Sequence, residues 1–361
     1  MNKILLLFSL MIGSTIACKA QEGYQISGKV DGIADGKILL VSEESGKLDT
    51  LATTLINNGV FIFTGKVNQP LAAYLMLENG GGVVPLILEN VNFMVNISST
   101  GALIQGGKQQ EIFNLFSRNN MKLLQTQNRI QQEFQQAEQT GNKNRMQTLR
   151  KQFEEAVINA RQEEEQLLKQ YADSYVAAYV VAVGARQFEL ESLKIRYGLL
   201  GDSAKATIPG HFVAELIADM EQFEEGYVVP DFTVTTQVGD SLSLYPIKGK
   251  LKLVVFWEST DPLCREENVN LLDIYQKYHL KGLEIISVSR DQDRSNWLKA
   301  VNEDGMVWKH GIDGNAVVFQ RYHVLSVPYT ILLNEENEIV GKNLSTAALK
   351  NKLAELLKKK K

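Results

Sequence analysis

The sequence constrains its own fold most strongly from Val254 to Glu267, where VVFWESTDPLCREE joins an apolar run to a polar turn. The β-branched and aromatic content of the run is typical of a strand that is buried on both faces. The residues from Ser259 to Asp261 are of the types that cap helix N-termini, and Pro262 suits the first helical position. The pattern therefore predicts a buried strand, a tight turn and a helix that begins near Pro262.

This stretch resembles the TlpA-like and AhpC/TSA-like thiol-disulfide oxidoreductases of the thioredoxin superfamily. In that family a strand ending in Phe-Trp leads to a Cys-x-x-Cys motif at the N-terminus of a helix, often followed by Arg and Glu. The matching residues here are Phe256, Trp257, Ser259, Cys264, Arg265 and Glu267. The resemblance implies an α/β thioredoxin-like domain, and the Pro-Asp-Phe sequence that begins at Pro230 matches the family's entry into it.

Asp261 stands where the family has its first cysteine. In the family's chemistry the first cysteine attacks the substrate disulfide, and the second cysteine resolves the mixed disulfide. A carboxylate cannot make that attack, so this domain alone lacks the usual dithiol cycle, and enzyme activity stays an open question.

Cys264 has two interpretations. It is either a reactive monothiol that uses the helix N-terminus and Arg265 to hold a thiolate, or a small apolar side chain on the inner face of the helix. The negative charge of Asp261 would raise the pKa of the thiol. The sequence therefore favours the buried, unreactive interpretation, in which the active site is degenerate.

Val327, Pro328 and Thr330 match the Val-Pro-x-Thr loop of the same family. The resemblance implies a cis peptide bond before Pro328, next to the active-site helix. Backbone that is exposed beside such a proline can accept an extended peptide as an added strand. The candidate binding residues are therefore Trp257, Asp261, Val327 and Pro328, and the expected partner is a peptide or protein at this edge, in a binding or scaffold role.

A thiol-dependent oxidoreductase or peroxidase acting through Cys264 is the alternative function. The AhpC/TSA branch carries a single peroxidatic cysteine preceded by threonine, but Thr260 is four residues before Cys264, where the peroxidatic pattern has three. No His or carboxylate partners can be placed beside Asp261, so no metal site is predicted, and no other cofactor is expected.

The first twenty residues have the layout of a secretory signal peptide, with Lys3, an apolar run and then small residues. The end of this segment resembles a bacterial lipobox, which makes Cys18 the candidate lipidation site. Cleavage after Ala17 or Ala20 is the alternative. We expect a cell-envelope protein, periplasmic or membrane-anchored, that meets a membrane only through a lipid on Cys18. Cys264 would then be the only free thiol of the mature chain.

The remaining sequence divides by composition into residues 21–104, 105–225 and 226–361. The first part has seven short strand-like runs between Tyr24 and Ile97, which predict a small antiparallel domain, either a sandwich or a barrel-like sheet. It resembles the β-rich domain of unknown function that precedes thioredoxin modules in envelope proteins of Gram-negative gut bacteria, on Gly28, the Asp35–Lys37 turn and Gly59–Phe61. The second part predicts long amphipathic helices, with a break at Thr140–Asn142 that favours an antiparallel hairpin. The apolar stripes of these helices could instead mediate dimerisation.

Composition narrows the range of partners. The chain has 361 residues, a net charge of -4 and 44% hydrophobic residues, which is ordinary for two or three soluble globular domains. No basic surface for nucleic acid is implied.

Overall fold

The computed structural model describes residues 22–44, 47–78 and 82–358. The predicted signal peptide and Cys18 lie outside these residues. The chain divides into two compact units between Ala177 and Ala178. The predicted helical region is therefore shared between both units, and the three predicted segment boundaries stay a prediction.

The first unit begins with a β sandwich. Its strands are β1 (Tyr24–Val30), β2 (Gly36–Glu44), β3 (Lys47–Ile56), β4 (Val60–Gly65), β5 (Leu71–Leu77), β6 (Val83–Leu88), β7 (Asn92–Ser98) and β8 (Gly101–Gln105). They form two four-stranded sheets, in the orders β4-β1-β7-β8 and β3-β2-β5-β6. Ile26, Phe61 and Phe93 of one sheet share a buried core with Leu40 and Leu75 of the other.

This part of the sequence was predicted to be antiparallel throughout, and one pairing corrects that prediction. The strands β1 and β7 run parallel, with Gln25 opposite Asn92 and Val30 opposite Ile97. Parallel neighbours need a long connection between them, which the strands β2 to β6 supply. The edge strand β8 was not predicted.

Two long helices follow in the first unit, α1 (Lys108–Gln139) and α2 (Lys143–Gln170). Asn142 caps α2, since its side chain accepts a hydrogen bond from Arg145 N at 3.0 Å. The Nδ2 atom of Asn119 donates to the carbonyl of Ala160 at 2.8 Å, which ties α1 to α2. The predicted hairpin within one chain is confirmed.

The helix α3 (Tyr175–Gly184) spans the boundary between the units, and the second unit continues with α4 (Leu190–Gly198), α5 (Asp202–Lys205) and α6 (Ile208–Glu221). The strands that follow are β9 (Thr233–Thr236), β10 (Ser241–Ser243), β11 (Leu251–Trp257), β12 (Leu283–Ser289), β13 (Lys309–Ile312), β14 (Tyr329–Asn334) and β15 (Ile339–Lys342). The helices between and after them are α7 (Pro262–Tyr278), α8 (Arg294–Glu303), α9 (Val317–Arg321) and α10 (Thr346–Leu356). The short elements α5, β9 and β13 were not predicted.

The seven strands from β9 to β15 form one sheet in the order β10-β9-β13-β12-β11-β14-β15. The central strands β11, β12 and β13 are parallel, and the strands on either side of them are antiparallel. Every residue of β11 is buried, as its sequence predicted. Leu253 and Trp257 face a core with α7, α8 and α10, whereas Val254 and Phe256 face a second core on the opposite side of the sheet.

The linker into this sheet also pairs with it. Gly226 N donates to Ile339 O at 2.9 Å, and Val229 N donates to Asn337 O at 3.0 Å. These bonds cover part of the outer edge of β15 before the chain enters β9. Among the described residues, no helix is both long enough and apolar enough to cross a membrane.

Candidate functional site

The turn that follows β11 starts the helix α7 as the sequence predicted. The Oδ1 atom of Asp261 accepts a hydrogen bond from Cys264 N at 2.8 Å, so Asp261 is the N-cap of α7 and Pro262 is its first residue. A carboxylate in this position is stabilised by the helix dipole and by the free N–H groups of the first turn. The carboxylate therefore occupies the part of the helix that would otherwise stabilise a thiolate.

A buried aspartate from the neighbouring strand fixes the start of the same turn. Asp291 follows β12 and is only 6% exposed. Its two carboxylate oxygens accept hydrogen bonds from Ser259 N at 3.0 Å and from Ser259 Oγ at 2.7 Å, and a further bond comes from Ser289 Oγ. No local pattern in the sequence indicated these contacts, which join two loops far apart in the chain.

Cys264 lies in the apolar core beneath this turn. Its side chain is 0% exposed and packs in the same cluster as Val255 and Trp257. Burial is the main cause that raises the pKa of the thiol to about 12, and the charge of Asp261 raises it further. The thiol is therefore protonated at neutral pH, which fits the buried interpretation of Cys264.

The side chain of Arg265 forms hydrogen bonds with two carboxylates at the end of α8. Its Nη2 atom donates to Asp304 Oδ1 at 2.7 Å and to Glu303 Oε2 at 3.0 Å, and its Nε atom donates to Asp304 Oδ2 at 2.7 Å. The hydrogen bonds to Asp304 raise the pKa of the guanidinium above its ordinary value. The reactive interpretation assigned this charge to a thiolate at Cys264, but two carboxylates at the end of α8 already neutralise it.

The predicted cis peptide bond between Val327 and Pro328 is confirmed. Both residues are partly exposed. Two large apolar side chains are exposed near these positions in the sequence. Leu263, on the first turn of α7, is 63% exposed, and Leu325, two residues before Val327, is 37% exposed. Trp257 was predicted to contact a partner, but its side chain is 0% exposed. That role is corrected, because both faces of β11 are covered and Trp257 belongs to the core.

A polar cavity of about 680 Å³ lies at the carboxyl ends of β11, β12 and β13. It is lined by Glu258, Thr260, Arg290, Asp291, Gln292, Asp293, Asn296, Gly314, Asn315 and Ala316. The Nε atom of Arg290 donates to Glu258 Oε2 at 2.8 Å. Ligands of open α/β sheets bind at this end of the strands. The order of the parallel strands is therefore the feature from which the position of the cavity could have been predicted. In the described part of the chain, no three His, Cys, Asp or Glu side chains are grouped to hold a metal ion.

Two family models match separate parts of the chain. Residues 24–113 match a domain of unknown function, DUF4369, and residues 226–342 match the AhpC/TSA family. The first match covers the β sandwich and the start of α1, and the second covers the seven-stranded sheet. The second unit thus has the thioredoxin fold that the sequence predicted.

Relatives of known structure or curated function match the same C-terminal part. The thioredoxin domain of a thiol-disulfide oxidoreductase from Bacteroides vulgatus is 34% identical, and the match covers 37% of this chain and 98% of that chain with a TM-score of 0.36. A thiol:disulfide interchange protein from Bacteroides sp. is 33% identical, with 38% of this chain and 93% of that chain covered and a TM-score of 0.36. The thiol-disulfide oxidoreductase ResA of Bacillus anthracis is 29% identical over 123 residues, which are 34% of this chain and 71% of ResA.

The family model and these sequence identities define the class of protein. Through its C-terminal domain, the chain belongs to the TlpA-like, AhpC/TSA-like family of thiol-disulfide oxidoreductases with a thioredoxin fold.

The protonation state of Cys264 leads to a first prediction. With a pKa of about 12, on the order of one thiol in ten thousand is ionised at pH 8, compared with roughly a quarter in an unfolded chain. We expect iodoacetamide to alkylate native Cys264 at least about a hundredfold more slowly than Cys264 in guanidinium chloride. Mass spectrometry of the peptide that carries Cys264 measures both rates, and similar rates would show that the thiol is accessible and ionised.

Proposed function

We propose that this protein binds an extended peptide or a partner protein at the edge formed by Asp261, Val327 and Pro328, and that it does so without a thiol-disulfide cycle of its own. The burial of Cys264, with its thiol protonated, is the observation that carries the proposal. The active site is degenerate, since the position of the attacking cysteine holds a helix-capping carboxylate instead.

The loop before β14 supports the binding role. Within the described residues, the backbone of Leu325, Ser326 and Val327 makes no hydrogen bond to other backbone groups. Unpaired N–H and C=O groups next to a sheet are the groups that an added strand uses. The exposed side chains of Leu263 and Leu325 add apolar surface that a peptide side chain can cover.

We also propose that the protein is exported to the cell envelope as a lipoprotein. The layout of the first twenty residues and the position of Cys18 support this location. The intact mass of protein extracted from membranes should contain a diacyl or triacyl addition on Cys18. A soluble product that begins after Ala20 would contradict the anchor.

A redox assay separates this proposal from the oxidoreductase and peroxidase alternative. Wild-type protein should reduce insulin and consume peroxide no faster than a Cys264→Ser variant, because the native thiol is buried and protonated. Asp261→Cys places a second thiol three residues before Cys264, within reach of a disulfide across one helical turn, and the helix N-terminus lowers its pKa. This variant should form the disulfide and gain insulin reduction. Wild-type activity that disappears in Cys264→Ser would instead make the lone thiol catalytic.

A binding assay tests the proposed edge directly. The probe is a fluorescently labelled, reduced and carboxymethylated unfolded protein, and fluorescence anisotropy measures its affinity. Leu263→Glu and Leu325→Glu should each weaken binding about fivefold or more, because a charge replaces apolar contact area. Leu280→Glu is the matched control, since Leu280 is 94% exposed and lies two residues beyond the C-terminal end of α7. Equal affinities in all four proteins would place binding elsewhere.

A further inference from the structure

The second unit contains another cavity, of about 480 Å³, which lies within the size range of small-molecule sites. Residues from α6, the linker and α9 contribute to it, together with Arg186 and Tyr245. It shares no lining residue with the polar cavity at the carboxyl ends of the parallel strands, and none with Asp261, Val327 and Pro328. We call it the basic cavity.

The basic cavity is lined by two arginine side chains. Arg186 and Arg321 are exposed, and within the described residues neither forms an ion pair with an acidic side chain. The guanidinium of Arg186 is held 5.6 Å from the centre of the Phe212 ring, a cation–π contact that restricts its position. The one acidic residue of the lining is Asp219.

The carboxylate of Asp219 already has a partner. Its Oδ2 atom lies 2.9 Å from His323 Nε2. Burial lowers the pKa of His323, and the nearby positive charges of Arg186 and Lys342 lower it as well, against the opposing effect of Asp219. The imidazole is therefore neutral at pH 7 and adds no charge. Two arginines and one aspartate leave the lining with one net positive charge.

The rest of the wall contains the amide side chains of Gln222 and Gln320 and a group of apolar side chains. Val228 and Val317 line the cavity and are 55% and 61% exposed, and Phe223 lies beside them. The hydroxyl of Tyr245 donates to Val229 O at 2.8 Å, which restricts the position of the ring, and Tyr245 is 41% exposed. An apolar surface next to two arginines fits a ligand that has an anionic end and an apolar body.

We propose that the basic cavity binds the carboxylate of an amphipathic monoanion, with Arg186 and Arg321 on the carboxylate and Val228, Phe223 and Val317 against the apolar body. A guanidinium matches a carboxylate in geometry and charge. A single net positive charge balances a carboxylate, whereas a phosphate dianion would leave an excess negative charge. The C-terminal residue of a peptide and a free aliphatic acid share this chemistry.

Calorimetric titration of the full-length protein distinguishes these sources. The probes are N-acetyl-leucyl-leucine, its C-terminal amide, and octanoate. Binding of either acid, with no binding of the amide, supports the proposal, and the tighter of the two acids identifies the source. If neither acid binds at concentrations up to about 1 mM, or if acid and amide bind equally, the proposal is wrong.

Variants test the assignment of the individual charges. Arg186→Gln and Arg321→Gln should each weaken binding of the acid about fivefold or more. Asp219→Asn should strengthen it, because this change removes the negative charge and keeps an acceptor for His323. Arg161→Gln is the matched control, since Arg161 is an exposed arginine of the first unit, and its affinity should equal that of wild type. Unchanged affinity in the double variant of Arg186 and Arg321, or weaker binding in Asp219→Asn, would overturn the charge assignment.

This proposal is independent of the one for the cis-proline edge. Loss of binding in Leu263→Glu and Leu325→Glu tests that edge with an unfolded chain, whereas Arg186→Gln tests the basic cavity with small acids. Either proposal can be wrong while the other is correct.

Discussion

The complete burial of β11 is the constraint on which the second unit depends. A strand that is buried on both faces needs a layer of structure on each side of its sheet. Leu253 and Trp257 are covered by α7, α8 and α10, and Phe256 packs against Phe319 and Tyr322 on the other face, with ring centroids 5.0 and 5.6 Å apart. Because α7 starts within a few residues of such a strand, its first inward-facing residue, Cys264, must also be buried.

Burial and capping act on Cys264 in the same direction. A helix N-terminus lowers a thiol pKa when the thiol can reach its free N–H groups from a solvated position. Here the carboxylate of Asp261 accepts the N–H of Cys264 itself, and the apolar core removes water from the sulfur. The two effects together explain why a residue in the position of a resolving cysteine is held as a neutral thiol.

Local signals in the sequence were sufficient for the elements next to the site. The helix start at Pro262 and the cap at Asp261 depend on residues close together in the chain, and each was predicted from them. The cis bond before Pro328 was predicted from the resemblance of its loop to that of the family. The strands β9 and β13, of four residues each, were missed. The parallel pairing of β1 with β7 was missed because local patterns carry no information on which strands pair.

Side-chain roles that depend on distant residues were the least predictable. The hydrogen bond that Asp291 accepts from Ser259 N joins residues 32 apart in the sequence. The reactive interpretation of Cys264 paired Arg265 with the thiol because the two residues are neighbours in the sequence, but the carboxylate partner of Arg265, Asp304, is 39 residues away. Trp257 was assigned to binding because it adjoins the motif, although the same apolar pattern that predicted a buried strand also required it to be buried.

The helices α4 to α6 lie outside the residues that the AhpC/TSA family model matches. That model begins at residue 226, whereas the second compact unit begins at Ala178. Just after α6, Phe223 packs on Tyr322 with ring centroids 5.2 Å apart, and Asp219 pairs with His323. Tyr322 and His323 lie directly before the loop that contains Val327 and Pro328. The cis-proline loop is thus supported from its N-terminal side by a segment outside the family match, and the basic cavity is formed at that same contact.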